Sequence, residues 1–325
     1  MSFLLVAALS IAWQIPQGRA DQATITAEEP FEAVGLSWSS GSNVSVRVRV
    51  STDRVDWSDW MALEIDGDLT DATEGRYVSA ITHFGSAKRY IEYSFDEPVD
   101  RVTLTLFPPA TPHRERLTTN ALTYGSLEIR SRVDWACPDG EGSPRWTPAY
   151  TTVTHAVVHH TAGSNSLPDW ETEVRNIWYY HTFSNAWGDI GYNFLIDPNG
   201  VIYEGRAGGA GAIGAHFSCR NSNTVGIALL GTFMTERPTD AALSILKSLL
   251  AEIIAKNSID PTAIVRHPSS GLDLPTILGH RDGNVPGATC TITVCPGDVV
   301  YAILPLLRSE LVYRPPTVRR RAVHH

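Results

Sequence analysis

The chain has 325 residues, of which 43% are apolar and 9% aromatic, enough for about two domains with buried cores. Its formal net charge is −9, and its only basic cluster is Arg319-Arg320-Arg321, in a proline-led C-terminal stretch. Phosphate polymers are bound by clustered Lys and Arg, so this charge balance argues against nucleic acid as a partner. We expect residues 313–325 to form a flexible tail.

The N-terminal stretch has the pattern of a secretory signal peptide. Residues 4–13 (LLVAALSIAW) form an apolar run that is too short to cross a bilayer as a helix. Polar, turn-forming and small residues follow, so we predict a signal peptide over residues 1–20 and a secreted, cell-wall or periplasmic protein. The first three residues lack the usual Lys or Arg, and the alternative is a buried N-terminal strand. No other segment is apolar for long enough to be a transmembrane segment.

Residues 21–130 are predicted to form an all-β accessory domain. Residues 44–50 (VSVRVRV) alternate apolar and polar side chains, which indicates a strand with one buried face. Similar short runs, separated by turn residues, follow at residues 77–84, 90–95 and 102–107. Strands at a spacing of about ten residues favour a β-sandwich or jelly roll.

Three tryptophans of this region have two open interpretations. They are Trp38, Trp57 and Trp60. Aromatic rings of this kind serve either as a platform on which sugars stack or as anchors of the core and of turns.

The pattern changes to alternating strands and helices after Arg130. A linker at residues 108–116 and a last β-domain strand at 122–130 precede the change. The later strands are predicted at 153–159, 191–196, 201–205 and 224–230, and the helices at 170–183, 241–256 and 298–311. The fold class is therefore an α/β domain with a mixed sheet and covering helices over residues 131–312, preceded by the all-β sandwich domain.

Candidate metal ligands are scattered through the second domain. His159 ends a predicted strand, His280 follows a loop, and Cys295 opens a predicted helix. A zinc ion with three protein ligands and one open position activates a water and stabilises an oxyanion, as amide hydrolysis requires. Taken singly, each residue is a weak signal, and only their conjunction favours a metal site.

Residues 131–308 resemble the peptidoglycan recognition protein and zinc-dependent type 2 N-acetylmuramoyl-L-alanine amidase family. The motifs that carry the resemblance are SRVDW from Ser131, HHT from His159, WGDIGYNF from Trp187, IYEGR from Ile202, GAH from Gly214, GIALLG from Gly226, GHRD from Gly279 and CPG from Cys295. They agree with the family in order and in rough spacing. The N-terminal β region lies outside the resemblance.

The resemblance implies a Zn2+ site with His159, His280 and Cys295 as ligands. In the family the first histidine of the pair is the ligand, and strand alternation then places His160 on the opposite face. We interpret His160 as a hydrogen-bonded residue beside the site.

The segment between the last two predicted ligands is longer than in the family. His280 and Cys295 are fifteen residues apart, whereas about eight is usual, and the insert contains Cys290. A longer loop costs little free energy. Cys290 is a rival ligand, but Pro-Gly follows Cys295 and not Cys290. The remaining thiols are Cys137, Cys219 and Cys290. They can form one disulfide at most, and its pairing stays open.

Two further residues are implied in catalysis. Tyr192 matches the family's tyrosine beside the zinc, whose phenol steadies the attacking water or the oxyanion. Thr293 stands two residues before the ligand cysteine, where the family has a polar side chain.

The resemblance also implies a groove that binds the stem peptide. Family members that prefer a diaminopimelate residue have a Gly-Trp pair and a following Arg, and here these positions are Ala186-Trp187 and Arg206. Arg206 is predicted to pair with the extra carboxylate of diaminopimelate. His216 either lines this groove or stabilises its loop.

The predicted function is hydrolysis of the amide between N-acetylmuramic acid and L-alanine in peptidoglycan by a monomeric enzyme. Two alternatives remain. The first is a peptidoglycan-binding module of the same fold without activity, against which Cys295 and Tyr192 argue. The second is a structural zinc domain whose fourth position is filled by Cys290 or His160.

Overall fold

The computed structural model describes residues 11–14, 20–67, 69–70, 74–109, 122–284 and 292–311. Side chains are described from residue 21 onward within these ranges, except that of Cys219. Most of the predicted signal peptide, most of the predicted linker, Cys290 and the C-terminal tail lie outside the described residues. Within them, no helix combines the length and the apolar character needed to cross a membrane.

Among the described residues, the N-terminal domain has six strands. In chain order, β1 to β6 are Ile11–Gln14, Ala20–Ser39, Val46–Ser51, Met61–Ala62, Arg76–Val78 and Thr82–Phe107. They form one sheet in the order β4-β3-β6-β2-β5, and β1 pairs with β6 outside this path. The long strands β2 and β6 pair along both halves, with Ile25 opposite Ile91 and Leu36 opposite Leu104. Their register shifts repeatedly, which lets the sheet bend.

The all-β prediction for this region is confirmed. In β3, Val46, Val48 and Val50 are buried while Arg47 is exposed, as the alternation predicts. One detail differs, because residues 90–95 and 102–107 are two parts of the single strand β6. At the N-terminus, β1 corresponds to the alternative of an N-terminal strand, and signal-peptide cleavage stays a prediction.

The three tryptophans have different environments. Trp38 is 1% exposed and stacks on Tyr77 with ring centroids 5.9 Å apart, so it is a core anchor. Trp57 and Trp60 are partly exposed, and the guanidinium of Arg49 lies 5.0 Å and 4.8 Å from their ring centroids. These cation–π contacts occupy ring surface that a stacked sugar would need.

The second domain has a mixed sheet covered by helices, as predicted. Its strands β7 to β15 are Leu122–Tyr124, Leu127–Ile129, His155–His160, Phe194–Ile196, Ile202–Glu204, Thr224–Leu229, Ile264–Arg266, Asp273–Pro275 and Ile277–Gly279. The main sheet has the order β11-β10-β12-β9-β15. β11 is antiparallel to β10, and the other neighbours are parallel.

In the part of the chain that the structure describes, three α-helices cover this sheet. They are α1 (Trp170–Tyr179), α2 (Asp240–Asn257) and α3 (Asp298–Glu310). Asp169 caps α1 by accepting hydrogen bonds from the amides of Glu171 and Thr172. The predicted helix over 170–183 is correct in its first part, but its end is a π-helical turn, Tyr180–Ser184. On α2, Leu246, Leu249 and Leu250 are fully buried in a cluster with residues of β10 and β12.

The β7–β8 hairpin packs on the core of the second domain. Residues 122–130, assigned from sequence to the β domain, form the β7–β8 hairpin, and Ile129 belongs to the same buried cluster as Ile202 and Leu250. The amide of Arg130 donates to the carbonyl of Ile202 at 2.8 Å. Local alternation predicts a strand here, but only tertiary packing decides which core the strand joins.

Candidate metal centre and substrate cleft

Three elements bring the predicted ligands to one end of the central sheet. β9 contains His159 next to its last residue, β15 ends directly before His280, and Cys295 lies three residues before α3. β9 and β15 are parallel neighbours, so their carboxyl ends lie at the same edge of the sheet. Ligands in α/β proteins bind at this kind of edge.

The side chains of these three residues converge. The donor atoms of His159, His280 and Cys295 all lie within 4.8 Å of one another, and all three residues are buried. Sγ of Cys295 is 3.5 Å from Nδ1 of His159, and the two histidine rings have centroids 4.8 Å apart. Two imidazoles and a thiolate are a donor set that suits zinc, and their convergence places all three within reach of one site.

Backbone groups contact both the sulfur and the carbonyl of Cys295. The backbone amide of His160 donates to Sγ at 3.4 Å. The amide of Arg281 holds the Cys295 carbonyl at 2.9 Å, and α3 begins shortly afterwards at Asp298. A neighbouring helix N-terminus and an N–H donor both stabilise negative charge on sulfur.

His160 lies outside the ligand cluster, in agreement with the alternation of β9. Its Nδ1 accepts a hydrogen bond from the amide of Phe233 at 3.3 Å. The His160 ring therefore lies on the side of β9 opposite to that of His159. This placement gives no support to the alternative in which His160 closes the metal site.

His216 contacts a predicted ligand directly. Its Nδ1 lies 3.1 Å from Nε2 of His159, its Nε2 lies 3.3 Å from the hydroxyl of Thr224, and the residue is 3% exposed. Partners of this kind fix the orientation of a metal-binding imidazole. Sequence reasoning missed this contact: it left His216 either lining the substrate groove or stabilising its loop, and both roles stay predictions.

Close packing around His216 explains a glycine of the GIALLG motif. A Cβ on Gly226 of β12 would lie 2.5 Å from the His216 ring. Both residues belong to motifs visible in the sequence, GAH and GIALLG, but the motifs do not show that one residue packs against the other.

Tyr192 lies beside the candidate metal centre. It is 2% exposed, and its ring centroid is 5.1 Å from that of His159 and 5.4 Å from that of His181. The structure therefore brings the predicted catalytic tyrosine to the predicted ligands.

Thr293 is held beside the third ligand. Its hydroxyl oxygen accepts a hydrogen bond from the amide of Cys295 at 3.0 Å. Asn284 bonds both the amide and the carbonyl of Thr293, at 3.1 Å and 2.8 Å. These contacts fix the side chain next to the candidate ligand Cys295.

Arg206 and Trp187 lie on one side of the site. Arg206 is 3% exposed, donates to the carbonyl of Ile190 at 3.1 Å and stacks 3.8 Å from the centre of the Trp146 ring. Burial lowers the pKa of Arg206 to about 10, so it remains a cation at neutral pH. Its buried Nε has no hydrogen-bond partner among the described residues. Trp187 is partly exposed, with its ring centroid 4.9 Å from that of His181.

The remaining thiols are only partly described. Cys137 is a buried free thiol, and burial raises its pKa to about 12, which makes it unreactive. The side chains of Cys219 and Cys290 lie outside the described residues, so the disulfide question stays open.

The chain is similar to known families and proteins. A family model described as N-acetylmuramoyl-L-alanine amidase matches residues 149–298, and one described as Rv3811 N-terminal galactose-binding domain-like matches residues 7–89. The chain is 37% identical over 135 residues to peptidoglycan-recognition protein SC2 of Drosophila melanogaster, covering 41% of this chain and 71% of that protein. It is 36% identical over 179 residues to peptidoglycan recognition protein 1 of Bos taurus, covering 54% and 82% respectively.

Two further similarities are to a longer relative and to a solved structure. The N-acetylmuramoyl-L-alanine amidase of Homo sapiens is 30% identical over 186 residues, which is 55% of this chain and 28% of that protein. The solved structure of Drosophila PGRP-LB aligns with a TM-score of 0.42 at 32% identity, covering 54% of this chain and 91% of that one. Because the sequence matches reach most of the length of the shorter relatives, the chain belongs to the peptidoglycan recognition protein and N-acetylmuramoyl-L-alanine amidase family, with a galactose-binding-like β domain at its N-terminus.

Proposed function

We propose that this protein is a zinc-dependent amidase that cleaves the bond between N-acetylmuramic acid and L-alanine in peptidoglycan. The observation that carries the proposal is the convergence of the His159, His280 and Cys295 donor atoms within 4.8 Å of one another. When bound, a zinc ion supplies an activated water and polarises the scissile carbonyl. The family resemblance supports amide hydrolysis as the reaction.

The chain's own residues would position and stabilise the reacting groups. The phenol of Tyr192 donates a hydrogen bond to the attacking water or to the oxyanion, and the hydroxyl of Thr293 is a second donor. His216 holds His159 in the orientation that presents Nδ1 to the ion, since its ring nitrogen lies 3.1 Å from Nε2.

The alternative function is peptidoglycan binding without cleavage, which relatives named as recognition proteins make relevant. The cluster of two histidines and a cysteine next to a tyrosine favours hydrolysis, because binding alone does not require these donors. Release of free stem peptide from purified sacculi separates the two functions.

The first test compares two cysteine variants. Cys295→Ala is expected to lower zinc content and abolish stem-peptide release, because one of three ligands is lost. Cys137→Ala removes a buried thiol outside the candidate site and is expected to retain both zinc and activity. Metal analysis and chromatography of the released peptides measure the outcome, and full activity of Cys295→Ala would sink the proposed mechanism.

We further propose a preference for stem peptides that contain diaminopimelate. Arg206 supports this, because it is a cation that donates to the carbonyl of Trp187, and a guanidinium pairs well with a carboxylate. Arg206→Gln is expected to reduce the ratio of kcat/KM for diaminopimelate-type over lysine-type muropeptides. Equal cleavage of the two substrates by the unaltered protein contradicts the preference.

We propose that the protein acts outside the cytoplasm, where its polymer substrate lies. The apolar run at residues 4–13 supports export, whereas the pairing of β1 with β6 supports retention of these residues. The mass of the mature protein decides whether residues 1–20 are removed.

A further inference from the structure

The two domains share one apolar cluster. Ala33, Leu69, Val78, Ile81 and Phe107 of the β domain are buried with residues of α1, the π-helical turn and β10. The ring of Phe107 meets those of Tyr179 and Tyr180 edge-on, at centroid distances of 6.2 Å and 6.0 Å.

Polar contacts reinforce this interface. The hydroxyl of Tyr180 donates to the carbonyls of Leu36 and Ser79 of the β domain, at 3.0 Å and 3.2 Å. Arg76 donates to Oδ1 of Asn185 at 2.6 Å. Small polar interfaces between domains permit relative motion, whereas apolar ones of this kind hold domains in place. The β domain therefore has a fixed position against the second domain.

That position brings the β domain to the catalytic side chains. Asp66, Leu69 and Ile81 of the β domain enclose a cavity together with residues of the second domain that include His181 and Tyr192. The cavity has a volume of about 10 Å³, which is room for about one water molecule. Because this space is too small for a substrate, the β domain excludes the substrate from this side of Tyr192.

Gly67 of the β domain lies close to Thr293. A Cβ on Gly67 would lie 3.0 Å from the hydroxyl oxygen of Thr293 and 3.4 Å from its Cβ. The backbone of the β domain thus packs against the proposed second oxyanion donor. Only glycine leaves Thr293 undisturbed in this arrangement.

We propose that the active site is composite, with the β domain as one wall of the substrate cleft and Gly67 as a positioning residue for Thr293. This inference rests on the proposed function, because it assigns a wall to that same site. It makes the β domain part of the catalytic unit, not a separable targeting module. The β domain restricts the substrate to one side of Tyr192.

The test replaces two glycines of the same domain. Gly67→Val places branched atoms against Thr293 and is expected to lower kcat/KM on muramyl tetrapeptide by at least about tenfold, because small displacements of positioning groups are costly. Gly41→Val is the matched control, since a Cβ there meets nothing within 4 Å. The kcat/KM of Gly41→Val is expected to equal that of the unaltered protein. Thermal melting checks folding, and Gly67→Ala, which adds only the Cβ, replaces Gly67→Val should the latter not fold.

A second readout is independent of turnover. The zinc-loaded proteins are titrated by calorimetry with a muramyl tetrapeptide analogue in which a methyleneamine replaces the scissile amide. Folded Gly67 variants should bind it at least about tenfold more weakly than Gly41→Val. Gly67 variants that bind and cleave like the control overturn the composite site. If the unaltered protein binds the analogue but cleaves nothing, the amidase proposal is refuted. The comparison of analogue affinity between the Gly67 variants and Gly41→Val still tests whether the β domain forms a wall of the cleft. A protein that neither binds nor cleaves refutes both.

Discussion

At the scale of single residues, the phenol of Tyr192 is the group that most clearly separates a catalytic site from a structural metal site. Its ring lies 5.1 Å from that of the candidate ligand His159 and is 2% exposed. A tyrosine in such a position contributes through its hydroxyl, because the ring itself offers nothing to the oxyanion.

We predict that Tyr192→Phe keeps zinc and slows hydrolysis by about 10²-fold or more, because one donor to the transition state is lost while the ligands remain. Steady-state kinetics on defined muropeptides together with metal analysis test this. A near-normal rate contradicts the role of the phenol, and loss of zinc contradicts its placement outside the ligand set.

At the scale of elements, the pairing of β12 with β9 determines the orientation of a candidate ligand. β12 carries Gly226 opposite Val157, two residues before His159. The absence of a side chain on Gly226 leaves space for the His216 ring, which in turn contacts His159. Gly226 thus influences the candidate metal centre through the intervening His216.

We predict that Gly226→Ala weakens zinc binding by about 10- to 100-fold, because the added methyl displaces His216 from His159. Gly142→Ala is the control in the same domain, since a Cβ there meets nothing within 4 Å. Competition with a chelating dye measures both affinities. Unchanged affinity in Gly226→Ala would show that His216 does not orient the ligand.

At the scale of the whole molecule, a buried ion pair joins the domains. Nε2 of His83 on β6 lies 2.9 Å from a carboxylate oxygen of Glu173 on α1. Glu173 is 3% exposed. Burial lowers the pKa of His83, but the charge and hydrogen bond of Glu173, together with the charge of Glu32, outweigh burial and raise the pKa above its ordinary value.

We predict that this pair stabilises the protein more at acidic than at alkaline pH. With a folded-state pKa above the unfolded one, the contribution is complete below the ordinary value of about 6.5 and is lost as pH rises through the raised pKa. The difference in unfolding free energy between the unaltered protein and His83→Gln should therefore shrink from about pH 5.5 to about pH 8.5. Lys247→Gln, which removes an exposed ion pair with Glu310, is the control. A difference independent of pH contradicts the prediction.

Much of the fold follows from local patterns. Alternation in β3, the Asp169 cap of α1 and the apolar face of α2 are short-range features, because each depends on residues a few positions apart. The same patterns predicted neither the π-helical turn at the end of α1 nor the core that the β7–β8 hairpin joins. Ile129 joins the core of the second domain, and the π-helical turn at Tyr180–Ser184 packs against the β domain. Both outcomes depend on contacts between distant parts of the chain.

The sequence by itself determined the family motifs, the candidate ligands His159, His280 and Cys295, and the candidate Tyr192, because these residue types in this order have few other uses. Only the tertiary structure decided that the three donor atoms converge, that His216 supports His159, and that Gly67 lies against Thr293. The physical reason is that these contacts join residues far apart in the chain. Their distances are set by sheet pairing and by the apolar contact between domains, which no local pattern encodes.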